Sequence, residues 1–170
     1  MEKNEHSFSA IYHQFWKRAF DFRGRSSQAE FWLPFVVHRG IEVLIYMLML
    51  IVYMMRFDED NVFAPYIIPT LYYSLIIFSL ILLIPEIAVI VRRLHDVGRH
   101  GWWVVVMLLN PLLIYSINGI NYLFRHQSAS NFATFFSFLI LFWVISSTIW
   151  FIIQLSKASS EWTNRWGETQ

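Results

Sequence analysis

RRLHDVGRHGWW, Arg92 to Trp103, lies between two long apolar runs, and that position decides the fold. Upstream, LYYSLIIFSLILLIPEIAVIV (Leu71 to Val91) carries a single charge, Glu86. Downstream, WWVVVMLLNPLLIYSINGINYLF (Trp102 to Phe124) carries none. A helix crosses a bilayer with about 20 mostly apolar residues, because lipid offers its backbone amides no other partner. The charged stretch therefore reads as a connection between two membrane helices at one bilayer surface. Working outward, four runs meet the length requirement: residues 31–57, 66–91, 102–123 and 132–155. Their short connections favour an antiparallel four-helix bundle. The expected fold is an all-α membrane protein, a single membrane domain over residues 1–170 with a tail at 156–170.

Composition agrees. At 56% hydrophobic and 19% aromatic residues against 15% charged, the chain is too apolar for an ordinary soluble fold of 170 residues. There is no cysteine, which excludes disulfides, thiolate metal sites and cysteine nucleophiles. The first twenty residues lack the apolar core and small-residue cleavage site of a signal peptide, so the spans themselves are expected to hold the whole chain in the membrane.

Orientation follows from basic residues on each side of the spans. Lys3, Lys17, Arg18, Arg23 and Arg25 precede the first, Arg92, Arg93 and Arg99 follow the second, and Lys157 and Arg165 follow the fourth. Against these ten, the other side has Arg56 and Arg125, the former beside Asp58, Glu59 and Asp60. Both termini are expected on the cytoplasmic side of a bacterial inner membrane.

Before the first span, Phe8, Ile11, Tyr12, Phe15, Trp16, Ala19 and Phe20 recur at spacings of three and four, with His13, Gln14, Lys17 and Arg18 between them. This predicts an amphipathic helix over 7–22, lying in the headgroup region or packing on the cytoplasmic end of the bundle. Arg23-Gly24-Arg25 reads as a turn, and Ser27 with Glu30 as a capping box that starts the first membrane helix at Gln28. Pro69, Pro85 and Pro111 each remove a backbone donor inside a span.

Two motifs, FDFRGRSSQAEFW (Phe20 to Trp32) and LLIPEIAVIVRRLHDVGRHGWW (Leu82 to Trp103), together resemble the bacterial inner-membrane family catalogued as domain of unknown function 805. Its members look like four-span proteins with a GR…EFW lead-in and an RRLHD…GWW loop. NRWG, Asn164 to Gly167, is similar to the ending those proteins often carry. The resemblance runs from about Ile11 to Gly167 and implies fold and location but no reaction. The family usually has a further basic residue where this chain has Gln28, and His38, Arg39 and Glu42 match none of its motifs.

Among candidate functional residues, Arg23, Arg25, Arg92, Arg93 and Arg99 suit anionic headgroups or phosphate, since a guanidinium is a planar fork of donors. Positive-inside topology alone also accounts for basic residues there. His95 has two readings. It moves a proton or ligates a metal, for which His100, His13 or Glu30 would have to assist, or it caps the helix C-terminus beside Asp96. Asp96 is expected to pair with Arg92 or Arg93, and Gly98 to stop the helix. Gly24, Glu30 and Gly101 belong to the motifs as structural residues. Trp32, Trp102, Trp103 and Trp166 read as interfacial anchors. Inside the spans, His38, Arg39, Glu42 and Glu86 are costly in hydrocarbon unless paired, at about 3 kcal/mol each or more. They form either a polar pocket, including an Arg39–Glu86 pair, or the edge of a span that begins only near Ile41.

No phosphate-cradling loop, nucleophile elbow, dinucleotide fingerprint or metal-ligand spacing is present, so no cofactor and no metal are expected. Nucleic acid is not an expected partner. The leading expectation is a non-enzymatic module whose cytoplasmic collar binds anionic lipid headgroups or a membrane-protein partner, with a homodimer possible. The alternatives are an enzyme acting on a phosphorylated lipid and a small ion or solute transporter.

Overall fold

The computed structural model describes residues 7–55, 64–124, 130–160 and 166. Arg56, Asp58, Glu59, Asp60 and Arg125, on which the orientation count relies for the opposite side, lie outside the described residues, as do Lys3, Arg165, Asn164 and Gly167. The elements are all helical: α1 (Phe8–Lys17), α2 (Gln28–Met55), α3 (Ala64–Asp96), a 3-10 turn (Gly101–Trp103), α4 (Val104–Phe124) and α5 (Ser130–Ser156). Among the described residues, four helical stretches are long and apolar enough to cross a bilayer: Gln28–Met54, Tyr66–Asp96, Gly101–Ile120 and Phe132–Ser156. The all-α, four-span expectation holds.

Large apolar side chains such as Leu44, Leu50, Leu80, Leu112 and Phe142 are exposed along these helices. Lipid is the solvent that suits such surfaces. Hydroxyls in the spans turn back on their own helices, as in Thr70 Oγ1 to Tyr66 O (2.8 Å) and Ser137 Oγ to Ala133 O (2.8 Å), which satisfies them without water. In the most apolar window of α3, 33% is buried, against 6–11% in the other three.

One element boundary differs from the sequence expectation. The helix expected over 7–22 ends at Lys17, where the chain turns and Arg18 Nε bonds Asp21 Oδ2 at 3.0 Å. The apolar span ends at Val91, but α3 continues through Arg92 to Asp96, as the expected Asp96 pairing and the Gly98 stop imply, and the connection is Val97 to His100. Asp96 ends that helix through a Schellman motif: Gly98 N donates to His95 O (3.1 Å) and Arg99 N to Leu94 O (2.7 Å). Gly98 adopts φ 73°, the left-handed conformation a Cβ resists. Nothing lies within 4 Å of a Cβ built there, so Gly98→Ala is expected to cost only the conformational penalty, about 1–2 kcal/mol of stability by thermal unfolding. A neutral result would mean the turn relaxes.

The chain forms two compact units, residues 1–22 with 29–89 and residues 23–28 with 90–170. In the first, α1 is capped by Ser7, whose hydroxyl accepts from Ala10 N, and it buries Ile11 and Phe15, with Ala19 buried in the turn that follows. Its other flank leaves Phe8 and Trp16 exposed, and Phe20, past its end, is exposed too. In the second, α4 and α5 run antiparallel: Trp103 meets Trp150 (5.1 Å between ring centroids), and seven residues on, Asn110 Nδ2 bonds Ser147 Oγ at 3.0 Å. Interhelical bonds of this kind are worth about 0.6 kcal/mol each in membranes.

Candidate functional site

The second unit holds the collar. Its frame is set locally. Gly24 (φ 77°) turns the chain between α1 and α2, and the Schellman motif ends α3. The C-terminal ends of α3 and α5 arrive here, and the segment leading into α2 departs from here.

Asp96, fully buried, sits at the centre. Arg25 Nε donates to its Oδ1 at 2.8 Å, and Arg93 Nη1 donates to its Oδ2. The i, i+3 pairing of Arg93 with Asp96 is one of the two that the helical spacing suggested. Arg92 Nε donates to Ser26 Oγ at 2.8 Å.

Further guanidinium donors reach the end of α5 and the segment just after it. Arg25 Nη2 reaches Ser160 O (2.8 Å) and Ser160 Oγ (3.0 Å). Arg93 Nε reaches Leu155 O (3.1 Å), and its Nη2 reaches Lys157 O. Gln28 Nε2 donates to Ser156 O (2.5 Å) and Lys157 O (2.9 Å), so the residue that departs from the family pattern also ties down the end of α5. Carbonyls at a helix C-terminus have no intrahelical donor, and the arginines with Gln28 supply those donors for α5. Arg25, Arg92 and Arg93 are at most 2% exposed. Two guanidiniums share one carboxylate, and both halves of the arrangement lie out of water.

Of the five arginines singled out from sequence, then, Arg25, Arg92 and Arg93 point inward. Arg23 and Arg99 are exposed. His95 Nδ1 lies 3.3 Å from Gly24 O, which as a carbonyl accepts only, so this nitrogen carries the proton. The His95 ring stacks on Trp166 (4.6 Å, 9° between planes), and His100 meets the same indole edge-on at 5.8 Å. Trp166, expected as an anchor, thus covers His95. Trp102 is exposed and stacks on Trp103 at 4.4 Å. Among the described residues no three His, Asp or Glu side chains converge as metal ligands would.

The first unit holds His38, Arg39, Glu42 and Glu86, ionisable side chains of the candidate spans, and it brings all four together. α2 runs unbroken from Gln28, which puts Arg39 about 16 Å along the helix. Arg39 Nη2 contacts both oxygens of Glu86 (2.9 and 3.2 Å), and its Nη1 lies 2.7 Å from Glu42 Oε2. His38, fully buried, has Nδ1 3.2 Å from Glu86 Oε1 and Nε2 3.1 Å from the Tyr12 hydroxyl on α1. Glu30, at the start of α2, faces Arg18 at 3.9 Å, and Trp32 packs edge-on against Phe31 and Phe35. Sequence reasoning missed Tyr12, Ser26 and Ser160. Tyr12 was visible only as one member of an aromatic stripe, and nothing in the sequence marks a serine as an arginine acceptor.

The model of the family described as "Protein of unknown function (DUF805)" matches residues 19–168 of the chain. No curated protein and no solved structure matches it.

Proposed function

We propose that this chain, which belongs to the family of proteins of unknown function DUF805, is a non-enzymatic module of the inner membrane whose collar binds anionic lipid headgroups on the cytoplasmic side. It is a multi-pass bacterial membrane protein with buried basic and acidic networks. The lipid-binding role, the inner membrane and the cytoplasmic termini are our reading of that frame.

One observation carries it: the arginines divide into two sets. Arg25, Arg92 and Arg93 are consumed by internal acceptors and make a rigid frame. Arg23 and Arg99 flank that frame and are exposed, and Trp102, suited to the headgroup level, is exposed in the same unit. A phosphoryl-transfer or hydrolytic site would instead aim its buried guanidiniums into a cavity. A rigid frame with charged outer residues suits reversible contact with headgroup phosphates.

The test is lipid retention. Protein extracted with its native lipids, in wild-type form and as Arg23→Ala with Arg99→Ala, is compared by native mass spectrometry, with the double lysine variant as the charge-retaining control. A basic residue at a membrane surface is worth about 1 kcal/mol, so the alanine pair is expected to retain roughly ten- to thirtyfold less phosphatidylglycerol and cardiolipin. Lysine should restore most of it. Unchanged anionic lipid would remove the reading, and loss of a co-purifying protein in place of lipid would make the collar a partner site.

A further inference from the structure

The cluster around His38 belongs to the first unit, and its charges do not balance. One guanidinium, Arg39, serves two carboxylates, Glu42 and Glu86. With His38 neutral the group carries one net negative charge. Within it, Glu42 Oε1 and Arg39 Nε are buried without a hydrogen-bond partner among the described residues. A net charge in a membrane-spanning helix is expensive, and residues of this kind are functional by default.

His38 is placed to remove that charge. Its ring is fully buried, packed against Phe15 (5.1 Å between centroids) and Phe78 (6.1 Å). Both nitrogens are engaged, Nδ1 with Glu86 and Nε2 with Tyr12. A neutral ring with Nδ1–H donates to the carboxylate and accepts from the tyrosine O–H. A doubly protonated ring donates to both, and the hydroxyl, which can donate or accept, simply turns around. Every hydrogen bond survives the change, so a proton can be taken up without repacking. The groups that face the imidazole are Tyr12 from α1 and Glu86 from α3, with Arg39 and Glu42 on its own helix acting through Glu86. Tyr12 and Glu86 are each partly exposed, one on either side of the sealed ring.

We propose that His38, between Tyr12 and Glu86, is a proton-binding site within the membrane-spanning region, and that the bound proton neutralises the Arg39–Glu42–Glu86 cluster. The step is balanced. Hydronium gives a proton to the Tyr12 oxygen as the tyrosine O–H proton passes to His38 Nε2, leaving water, an intact hydroxyl and an imidazolium. The reverse path returns the proton to the same side, and passage from Nδ1 to Glu86 carries it onward. This site is independent of the collar and of the headgroup reading.

The experiment is nitrogen-15 spectroscopy of histidine-labelled protein in lipid nanodiscs, from about pH 8 to about pH 5, where a histidine changes charge. The His38 signal is assigned by its loss in His38→Gln. Should that variant not fold, replacing the other five of the six histidines isolates the same signal. In the wild type, His38 is expected to pass from singly to doubly protonated. Glu42→Gln leaves one guanidinium against one carboxylate and does not touch the imidazole, and it is expected to abolish the change over this range. Tyr12→Phe keeps the ring stacked on Phe8 and Phe15, so the helix stays docked. The substitution removes the hydroxyl that passes the proton to the sealed ring, and it is expected to erase the hydrogen-bond shift at Nε2 and to suppress uptake. A wild-type ring that stays singly protonated throughout overturns the proposal, as does equal protonation in wild type and Glu42→Gln.

Discussion

Asp96→Asn is expected to destabilise the protein by about 3–5 kcal/mol, the largest effect of any single conservative replacement in the collar. The substitution preserves shape and one acceptor oxygen. It replaces the other oxygen with a donor, aimed at a guanidinium that has only donors to offer. Arg25 and Arg93, both buried, then lose their shared counter-charge while their backbone acceptors at Leu155, Lys157 and Ser160 remain. Those carbonyls are dipoles and do not neutralise two cations. Domains are stable by only about 5–15 kcal/mol in total, so the variant should unfold at markedly lower temperature or fail to accumulate in the membrane. The cause is separable from simple loss of a bond. If excess charge is responsible, adding Arg25→Gln to Asp96→Asn should recover part of the loss, a coupling the double-mutant cycle measures directly. Additive penalties, or an Asp96→Asn protein as stable as wild type, would mean the collar is wetter than its burial indicates.

How much of this was legible beforehand varies with the range of the interaction. Span positions were, because the need to satisfy backbone amides in lipid writes itself as runs of apolar residues. Local pairs were legible too. The Arg93–Asp96 spacing and the left-handed Gly98 follow from helix geometry alone, and the intramembrane charges announced themselves by their cost. The direction in which the arginines face was not. A charge count near a bilayer surface favours outward-pointing side chains, whereas Arg25 meets Asp96 from 71 residues away and Arg93 reaches the end of α5 from 62 and 64. Several of their acceptors are main-chain carbonyls, and a carbonyl has no sequence signature. Tyr12 illustrates the same limit, since its position in an aromatic stripe explains burial but gives no hint that its hydroxyl closes on His38. The end of α3 lies beyond its apolar run for a related reason. The apolar run stops at Val91, but with internal partners waiting the charged residues after it carry the helix to Asp96, just ahead of the stop expected at Gly98.

Gly101→Ala is expected to cost about 1–3 kcal/mol, through crowding and not through backbone conformation. A Cβ at this position would lie 2.6 Å from Val91 Cγ1 and 2.9 Å from His95 Nε2, far inside the roughly 3.5–4.0 Å at which such atoms attract. Gly101 has no positive φ, so alanine brings no penalty of the kind expected at Gly98. Neither neighbour yields easily. Val91 is β-branched and stiff at χ1 within α3, and His95 is held between the Trp166 ring and the Gly24 carbonyl. The chain must therefore move, and the 3-10 turn that starts at Gly101 and leads into α4 is what moves. This accounts for a glycine ahead of the tryptophan pair in physical terms, since the turn passes too close to α3 for any side chain. Removing the obstacle tests the cause. Val91→Ala deletes the offending methyl, and the double variant should be more stable than the sum of the two single penalties by about 1 kcal/mol or more in a denaturation cycle. Strict additivity would place the strain elsewhere. A displaced imidazole would also release the Gly24 carbonyl, loosening the segment that carries Arg23 and Arg25. Gly101→Ala should accordingly weaken anionic lipid retention, although it removes no charge.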